Sequence, residues 1–374
     1  MTVPVLYLVQ SLDIGGTQRQ LLFLLRGLDR RRFACVVACD RAGGDLWPAF
    51  EALGVTLVVL RAGRYRWRDP RGWLVRAWEV FRLVRRHRIR IVHSQWALYG
   101  FFGTLAGWAA GAPVRLLSMH GHWLRPHDRL VLRVIVPRLT AIVEGTPGCI
   151  DRLVAQGLPR AKFRLVDYGV DGAPYAESGL RARARARLGI APDAFVVARV
   201  ARCFPDKGVG DVVEAAARVL ARAPAARFLV VGDGDELPRL KARAGELGIA
   251  GAVIFTGFEP NLPEALAATD VLTLTSRTDE LSLATLEALA AGKPVVAYEN
   301  GALVREAVTP GVNGLLLPPR DVPGLADALL SLWARPEARL AMGHASRRTF
   351  EAKYGLEAFG RRMGELYAEC LDAG

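Results

Sequence analysis

Three places in this 374-residue chain combine residue types at spacings that can do chemistry. The first is S-R-T-D-E-L-S-L-A-T-L-E-A-L-A-A-G-K-P-V-V-A-Y, residues 276–298. It reads as a polar loop, a short helix over 283–291 and a buried strand from 295. Ser282 suits the N-cap, Gly292 the position past the C-cap and Pro294 the stop. Asp279 and Glu280 stand just before the helix start, and Glu287 lies on the helix. A helix N-terminus presents unpaired N–H groups that hold a phosphate, and carboxylates beside it can grip sugar hydroxyls. The same residues would equally make a solvated acidic turn before a core helix. The second place is A-R-C-F-P-D-K-G, residues 201–208, with Arg202 and Lys207 five apart. Two cations on one loop can neutralise a departing pyrophosphate, although a surface Arg and Lys look the same in isolation. The third is Gly15-Gly16, where the missing side chains let backbone approach a phosphate closely. A Gly-Gly turn is common, and this signal is weak alone.

The elements that must position these loops alternate along the chain. Apolar runs at 3–9, 34–39, 56–60, 89–93, 114–119, 141–144 and 163–167 read as strands, with helical patterns between them. After a break at 169–174 and a basic helix at 180–188, a second series follows at 195–200, 227–231, 253–256, 271–275, 295–298 and 314–317. Apolar strands separated by helices imply parallel sheets covered on both faces, so two doubly wound α/β domains are expected, dividing near 170–190. The tail from residue 338 is helical. In such sheets ligands bind beyond the carboxyl ends of strands, where all three loops fall.

Composition narrows the classes. Five cysteines without a C-x-x-C pair indicate neither a disulfide framework nor a zinc site, which favours a reducing cytosol. The N-terminus enters an apolar run with no basic segment before it, so no signal peptide is expected. The stretch 97–112 is apolar but short for a membrane span and carries four glycines, and a helix packed on a sheet is the better reading. The net charge of +13 is uneven: residues 1–170 hold 26 Lys and Arg against 11 Asp and Glu. Eleven arginines lie between Arg61 and Arg90, interleaved with Trp67, Trp73 and Trp78. That face suits an anionic membrane or glycan, less so nucleic acid, or is merely solvated. A helical stripe of Leu74, Ala77, Trp78, Phe81 and Val84 is expected to bury against a sheet. A nicotinamide-binding enzyme is disfavoured, because no G-x-G-x-x-G follows either opening strand.

Taken together, the motifs resemble the retaining GT-B glycosyltransferases of glycosyltransferase family 4, the group 1 transferases. The resemblance covers nearly the whole chain. Its strongest parts, in order and at the family's spacing, are V-A-R-V-A-R-C-F-P-D-K-G, V-V-G-D-G-D-E-L, F-T-G-F, the stretch from Ser276 and G-V-N-G-L-L-L-P-P-R-D. Gly15-Gly16, V-H-S-Q-W at 92–96 and S-M-H-G at 118–121 match less specifically. The resemblance implies a GT-B fold: two doubly wound Rossmann-like parallel-sheet domains facing a cleft that closes during turnover. An acceptor-side domain would span 1–175, a nucleotide-sugar donor domain 176–350, and a helix at 351–374 would cross back to the first.

It also implies roles for single residues. Arg202 and Lys207 would hold the donor diphosphate, with Gly15 and Gly16 approaching it from the first domain. Glu287 would be the second glutamate of the E-x7-E motif, on the nucleotide ribose. The first glutamate falls at Asp279, a departure one methylene shorter, unless Glu280 replaces it by a shifted loop. Backbone amides of Leu281, Ser282 and Leu283 would face sugar and phosphate, and His120 would stand near the donor sugar. By contrast, histidines at strand ends, such as His93, more often complete a hydrogen-bond network. Tyr168, where the family usually has Asn, is expected to matter little to chemistry. Asp233-Gly234-Asp235 spells a DxD metal motif but lies in the family's glycine turn, so it is read as structural. No cofactor or metal is expected for catalysis. The implied reaction is retaining transfer from a nucleotide-diphosphate sugar to a glycan or lipid-linked acceptor. It would take place in the cytoplasm or peripherally on the inner membrane face. A GT-B epimerase or hydrolase and a non-catalytic binding protein are the alternatives.

Overall fold

Apolar runs and the helices between them build two parallel sheets in the computed structural model. It describes residues 2–61, 70–120, 124–259, 261–278, 282–301 and 303–373. The first series runs β1 (Val3–Leu8), α1 (Gly16–Gly27), β2 (Phe33–Cys39), α2 (Trp47–Ala52), β3 (Thr56–Val59) and α3 (Pro70–Arg86). It continues with β4 (Ile91–Gln95), α4 (Trp96–Ala109), β5 (Val114–Ser118), α5 (Pro126–Ile135), β6 (Ala141–Glu144), α6 (Pro147–Ala155) and β7 (Phe163–Leu165). The second series opens with α7 (Leu180–Arg187), β8 (Val196–Val200), α8 (Val209–Leu220), β9 (Arg227–Val231), α9 (Leu237–Glu246), β10 (Val253–Gly257) and α10 (Leu262–Ala268). Then come β11 (Val271–Leu274), α11 (Leu283–Ala290), β12 (Val295–Tyr298), β13 (Gly314–Leu317), α12 (Val322–Ala334), α13 (Pro336–Lys353) and α14 (Leu356–Asp372).

The first sheet has the order β3-β2-β1-β4-β5-β6-β7 and the second β10-β9-β8-β11-β12-β13. Each order reverses direction once, between β1 and β4 and between β8 and β11. Those reversals are the switch points where loops on neighbouring strands part and leave room for a ligand. All three loops singled out above follow strands at a switch point. Each sheet is sandwiched by its own apolar core: Val197, Val212, Phe228 and Leu329 in the second, Leu6, Val36, Val92 and Phe102 in the first.

Compact units divide the chain at Gly169 and Leu356 rather than at 175 and 350. One is Met1–Gly169 with Leu356–Gly374, the other Val170–Gly355. Val170 already belongs to the second unit, where its N–H donates to the Tyr354 carbonyl at 2.8 Å. In the first unit α14 lies against α1. A Cβ on Gly360 would sit 1.9 Å from the Gly27 carbonyl oxygen, so the two helix backbones touch. Tyr367 of α14 then reaches into the sheet, 2.9 Å from the Tyr7 hydroxyl and 2.7 Å from His93 Nδ1. Gly360→Ala should therefore lower the melting temperature of this unit, at a cost of about 1–3 kcal/mol for forced overpacking. Gly245→Ala, which would meet nothing within 4 Å, is the control, with an expected gain of several tenths to about 1 kcal/mol.

Two local expectations need correction. Strand β4 begins two residues later than read, because Ile89 is used to close α3: its N–H donates to the Val84 carbonyl at 2.9 Å. The buried stripe of α3 is also rotated. Val80 and Val84 are buried and Trp73, Ala77 and Phe81 partly so, but Leu74 and Trp78 face solvent. The place given to Leu74 and Trp78 is taken by Arg76, which is buried and pairs with Asp40 at 2.9 Å. Asp40 also accepts from the Tyr99 hydroxyl at 2.5 Å. The apolar, glycine-containing stretch at 97–112 is mostly α4, packed on the sheet: a Cβ at Gly103 would lie 2.1 Å from Ser94 Oγ. Among the described residues, no helix is long and apolar enough to cross a membrane. Trp67 and its neighbours at 62–69 lie outside the described residues.

Candidate active site

In the second unit the loops after β8 and β11, neighbours at the switch point, are bound into one piece. Arg199, in the middle of β8 and buried, donates from Nη2 to the Lys207 carbonyl at 2.7 Å and to Ser276 Oγ at 3.0 Å. Thr275 Oγ1 donates to the Gly208 carbonyl at 2.9 Å. Gly208 has φ +60°, and a Cβ there would meet the Thr275 carbonyl oxygen at 2.0 Å, so only glycine permits this approach. Arg277 completes the clasp. Its N–H donates to the Asp206 carbonyl at 2.7 Å, and its guanidinium pairs with Asp211 at 3.0 Å. From the other side, the Asn300 amide donates to the Ser276 carbonyl.

This frame presents the cations. Lys207 ends a one-turn 3-10 helix, Pro205–Lys207, with Nζ 3.2 Å from Asp206 and its side chain 15% exposed. Arg202 is exposed, its guanidinium 5.0 Å over the Phe204 ring. The turn after β9 supports this loop through backbone. Cys203 N–H donates to the Asp233 carbonyl at 2.8 Å, and a Cβ at Gly232 would lie 1.9 Å from the Ala201 carbonyl oxygen. Asp233 itself accepts from the Gly234 N–H at 2.8 Å, the arrangement of a turn. Among the described residues, no group of three or more His, Cys, Asp or Glu side chains could hold a metal ion.

Helix α11 follows. Ser282 stands at its N-cap with extended backbone and no side-chain cap bond, and its carbonyl accepts from the Thr285 N–H at 2.9 Å. Leu283 is the first helical residue, and Glu287, one turn on, is buried. Gly292 has φ +65°, the left-handed geometry of a helix stop. Asp279, Glu280 and Leu281 lie outside the described residues, as does Gly121 of S-M-H-G.

In the first unit, Gly15 caps α1 and Gly16 is exposed in its first turn. His120 follows β5 with φ +53°, and Trp96 follows β4 with φ +68°. Two strained non-glycine residues at strand ends mark a constrained site. The His120 Nε2 bonds the Gln95 side-chain oxygen. Its ring lies 15° from parallel to Tyr168, with centroids 6.2 Å apart, and 6.2 Å from Trp96. Trp96 donates to Thr17 Oγ1 at 2.9 Å, beside Gly16. Burial pushes His120 down to about 4, so its imidazole is neutral at pH 7. Tyr168 is more than a bystander: it stacks on His120 and donates to Glu144 at 2.9 Å. Gly145 makes room for its ring, since a Cβ there would lie 2.5 Å from Cζ. His93, by contrast, is an inward anchor, bonded to Tyr367 and to Ser118 at 2.8 Å.

Reading by motif missed Arg199, Arg277, Gln95 and Trp96. The first two had a visible signal, an arginine inside an apolar strand and one inside the motif loop, but their partners are distant in sequence.

Comparison with known proteins agrees with this layout. The family described as "Glycosyl transferases group 1" matches residues 181–349, and "Glycosyl transferase 4-like domain" matches 15–169. A D-inositol 3-phosphate glycosyltransferase of Kribbella flavida is 37% identical over 89% of this chain and 86% of its own. A GDP-mannose-dependent alpha-(1-6)-phosphatidylinositol monomannoside mannosyltransferase of Mycolicibacterium smegmatis is 32% identical over 76% of this chain and 78% of its own. Among solved structures, Anabaena HepE in complex with UDP superposes with a TM-score of 0.83 at 21% identity, covering 98% of this chain and 100% of that one. Two Rossmann-like units, both domain families in order and full-length relatives make one conclusion: the chain belongs to the group 1 glycosyltransferases, enzymes of the GT-B fold.

Proposed function

We propose that the chain transfers a sugar from a nucleoside diphosphate sugar to a hydroxyl of a glycan or lipid-linked acceptor, with retention at the anomeric carbon. The observation that carries this reading is the clasp of the β8 and β11 loops by Arg199, Thr275 and Arg277. It fixes the backbone that carries Lys207 against the loop that leads to α11, and a cation beside a helix N-terminus suits a diphosphate. In this reading Arg202 and Lys207 take the diphosphate, with the amides of Leu281, Ser282 and Leu283. Glu287 takes the ribose hydroxyls, and Asp279 or Glu280 a hydroxyl of the donor sugar. In the first unit, the Gly15-Gly16 backbone serves the diphosphate, and neutral His120 serves the sugar as a hydrogen-bonding group.

The bond between the anomeric carbon and the phosphate oxygen breaks, and the acceptor oxygen bonds that carbon on the same face. The acceptor's proton passes to the departing phosphate. Arg202, Lys207 and the helix N-terminus stabilise the charge that develops there. The step needs no carboxylate nucleophile and no metal. UDP-sugars head the donor screen because HepE is described with UDP, and GDP-sugars follow from the GDP-mannose-dependent relative. The latter's phosphatidylinositol monomannoside acceptor supports a lipid-linked acceptor here, with the enzyme in the cytoplasm and peripheral on the inner membrane face.

A thermal-shift screen of UDP-, GDP- and ADP-sugars tests the donor class, since a ligand of the native state raises its stability. Glu287→Gln, which keeps the buried shape, should weaken donor binding about ten-fold or more through a lost charged hydrogen bond. An unchanged donor Kd would remove Glu287 from the ribose. Incubation with donor alone should give at most slow hydrolysis; rapid turnover without acceptor would mean a hydrolase or epimerase instead.

A further inference from the structure

The outer face of α3 carries an arrangement that neither packing nor the transfer reaction uses. At about 100° per residue, Arg71, Leu74, Val75, Trp78, Arg82 and Arg85 fall within one arc of about 100°. All six are exposed, Leu74 to 73% and Trp78 to 56%. No acid lies in this arc, and Glu79 at its margin accepts the Arg61 N–H at 2.9 Å. The Arg82 guanidinium sits 4.5 Å over the Trp78 ring. Beside them a groove of about 240 Å³ separates α3 from the edge strand β3, and Arg86 joins Arg82 and Trp78 in its wall. A merely solvated arginine face needs no exposed leucine one turn from an exposed tryptophan. Apolar side chains projecting between arginines are the pattern of a helix lying in a membrane interface.

We propose that this face of α3 docks on an anionic phospholipid bilayer. Leu74, Val75 and Trp78 enter the boundary between head groups and acyl chains, and Arg71, Arg82, Arg85 and Arg86 pair with lipid phosphates. Charge complementarity favours this occupant, because residues 1–170 hold 26 basic against 11 acidic side chains. Exposed Leu74 and Val75 set it apart from nucleic acid, which would engage the arginines and stack on Trp78 but leave those two aliphatic side chains in water. The inference rests on, and makes specific, the membrane part of the proposed function.

Cosedimentation of the full chain tests it, with vesicles of phosphatidylcholine containing about one-third phosphatidylglycerol and with phosphatidylcholine alone. The protein should pellet with the anionic vesicles at about 0.1 M salt and much less at about 1 M. Each of Arg82→Glu, Arg85→Glu and Arg86→Glu should weaken binding about five-fold or more. Leu74→Ser with Trp78→Ser should weaken it about ten-fold or more. These residues are exposed, so melting temperature and donor binding should stay as in the parent. If the parent pellets and the variants pellet equally, α3 is not the docking face, although the membrane reading stands. If the parent fails to pellet, both fall. Salt-sensitive DNA binding indifferent to Leu74→Ser, or self-association abolished by the serine pair, would also overturn the proposal in favour of nucleic acid or a second copy.

Discussion

Lys207→Ala is expected to lower the turnover number by about two to three orders of magnitude, the usual loss when a preorganised charge partner leaves a transition state. The backbone around Lys207 does not depend on its side chain. Its carbonyl is held by Arg199 and its neighbour Gly208 by Thr275, so the loop should keep its course in the variant. The deficit should accordingly appear at saturating donor, with an unchanged melting temperature. Lys207→Arg should recover part of the rate by restoring charge in a different shape. Turnover within about ten-fold of the parent in Lys207→Ala would end the assignment of Lys207 to the leaving group.

Arg76→Ala should have the largest effect on stability, about 3–5 kcal/mol, because it leaves a carboxylate buried without its countercharge. Asp40 and Arg76 are both almost wholly buried at 2.9 Å, and Arg76 also stacks 5.2 Å over the Phe102 ring. Arg82→Glu, on the same helix but facing solvent, reverses a charge and should leave the melting temperature nearly unchanged. A joint replacement, Arg76→Met with Asp40→Asn, should recover much of the loss, because it removes the charge as well as its partner. Equal melting temperatures for Arg76→Ala and the parent would mean that water reaches Asp40.

How far the chain could be read in advance depended on how local each signal was. Both parallel sheets followed from apolar runs separated by helical patterns, and every strand lies near its expected place. Lys207 and Glu287 stood out because their motifs are short and self-contained. Arg76 did not, since a periodicity argument counts arginine as polar and sends it outward. Its partner Asp40 lies on a different element, and only the fold brings the two together. Leu74 and Trp78 failed in the converse direction, as apolar residues that the fold leaves outside. Arg199 and Tyr168 belong with Arg76: their roles rest on contacts with Ser276 and His120, which no spacing rule connects. Asp279→Asn and Glu280→Gln, compared for donor-sugar discrimination, test the proposed contact with the donor sugar: the variant that loses discrimination marks the residue that makes it.

The interrupted path of the first unit bears on how the chain is made. Tyr7 and Tyr367 meet across a sequence separation of 360 residues. When the strands of the first sheet have all left the ribosome, α14 does not yet exist, and Tyr7, His93 and the Gly27 seam lack their partner. The second unit is one unbroken segment, Val170–Gly355, and is finished before α14 is translated. The usual order in which an N-terminal domain is completed first is therefore inverted. Until α14 arrives, the α1 side of the first sheet is an open apolar surface, so the nascent chain should be most prone to aggregate and to engage chaperones during synthesis of the second unit.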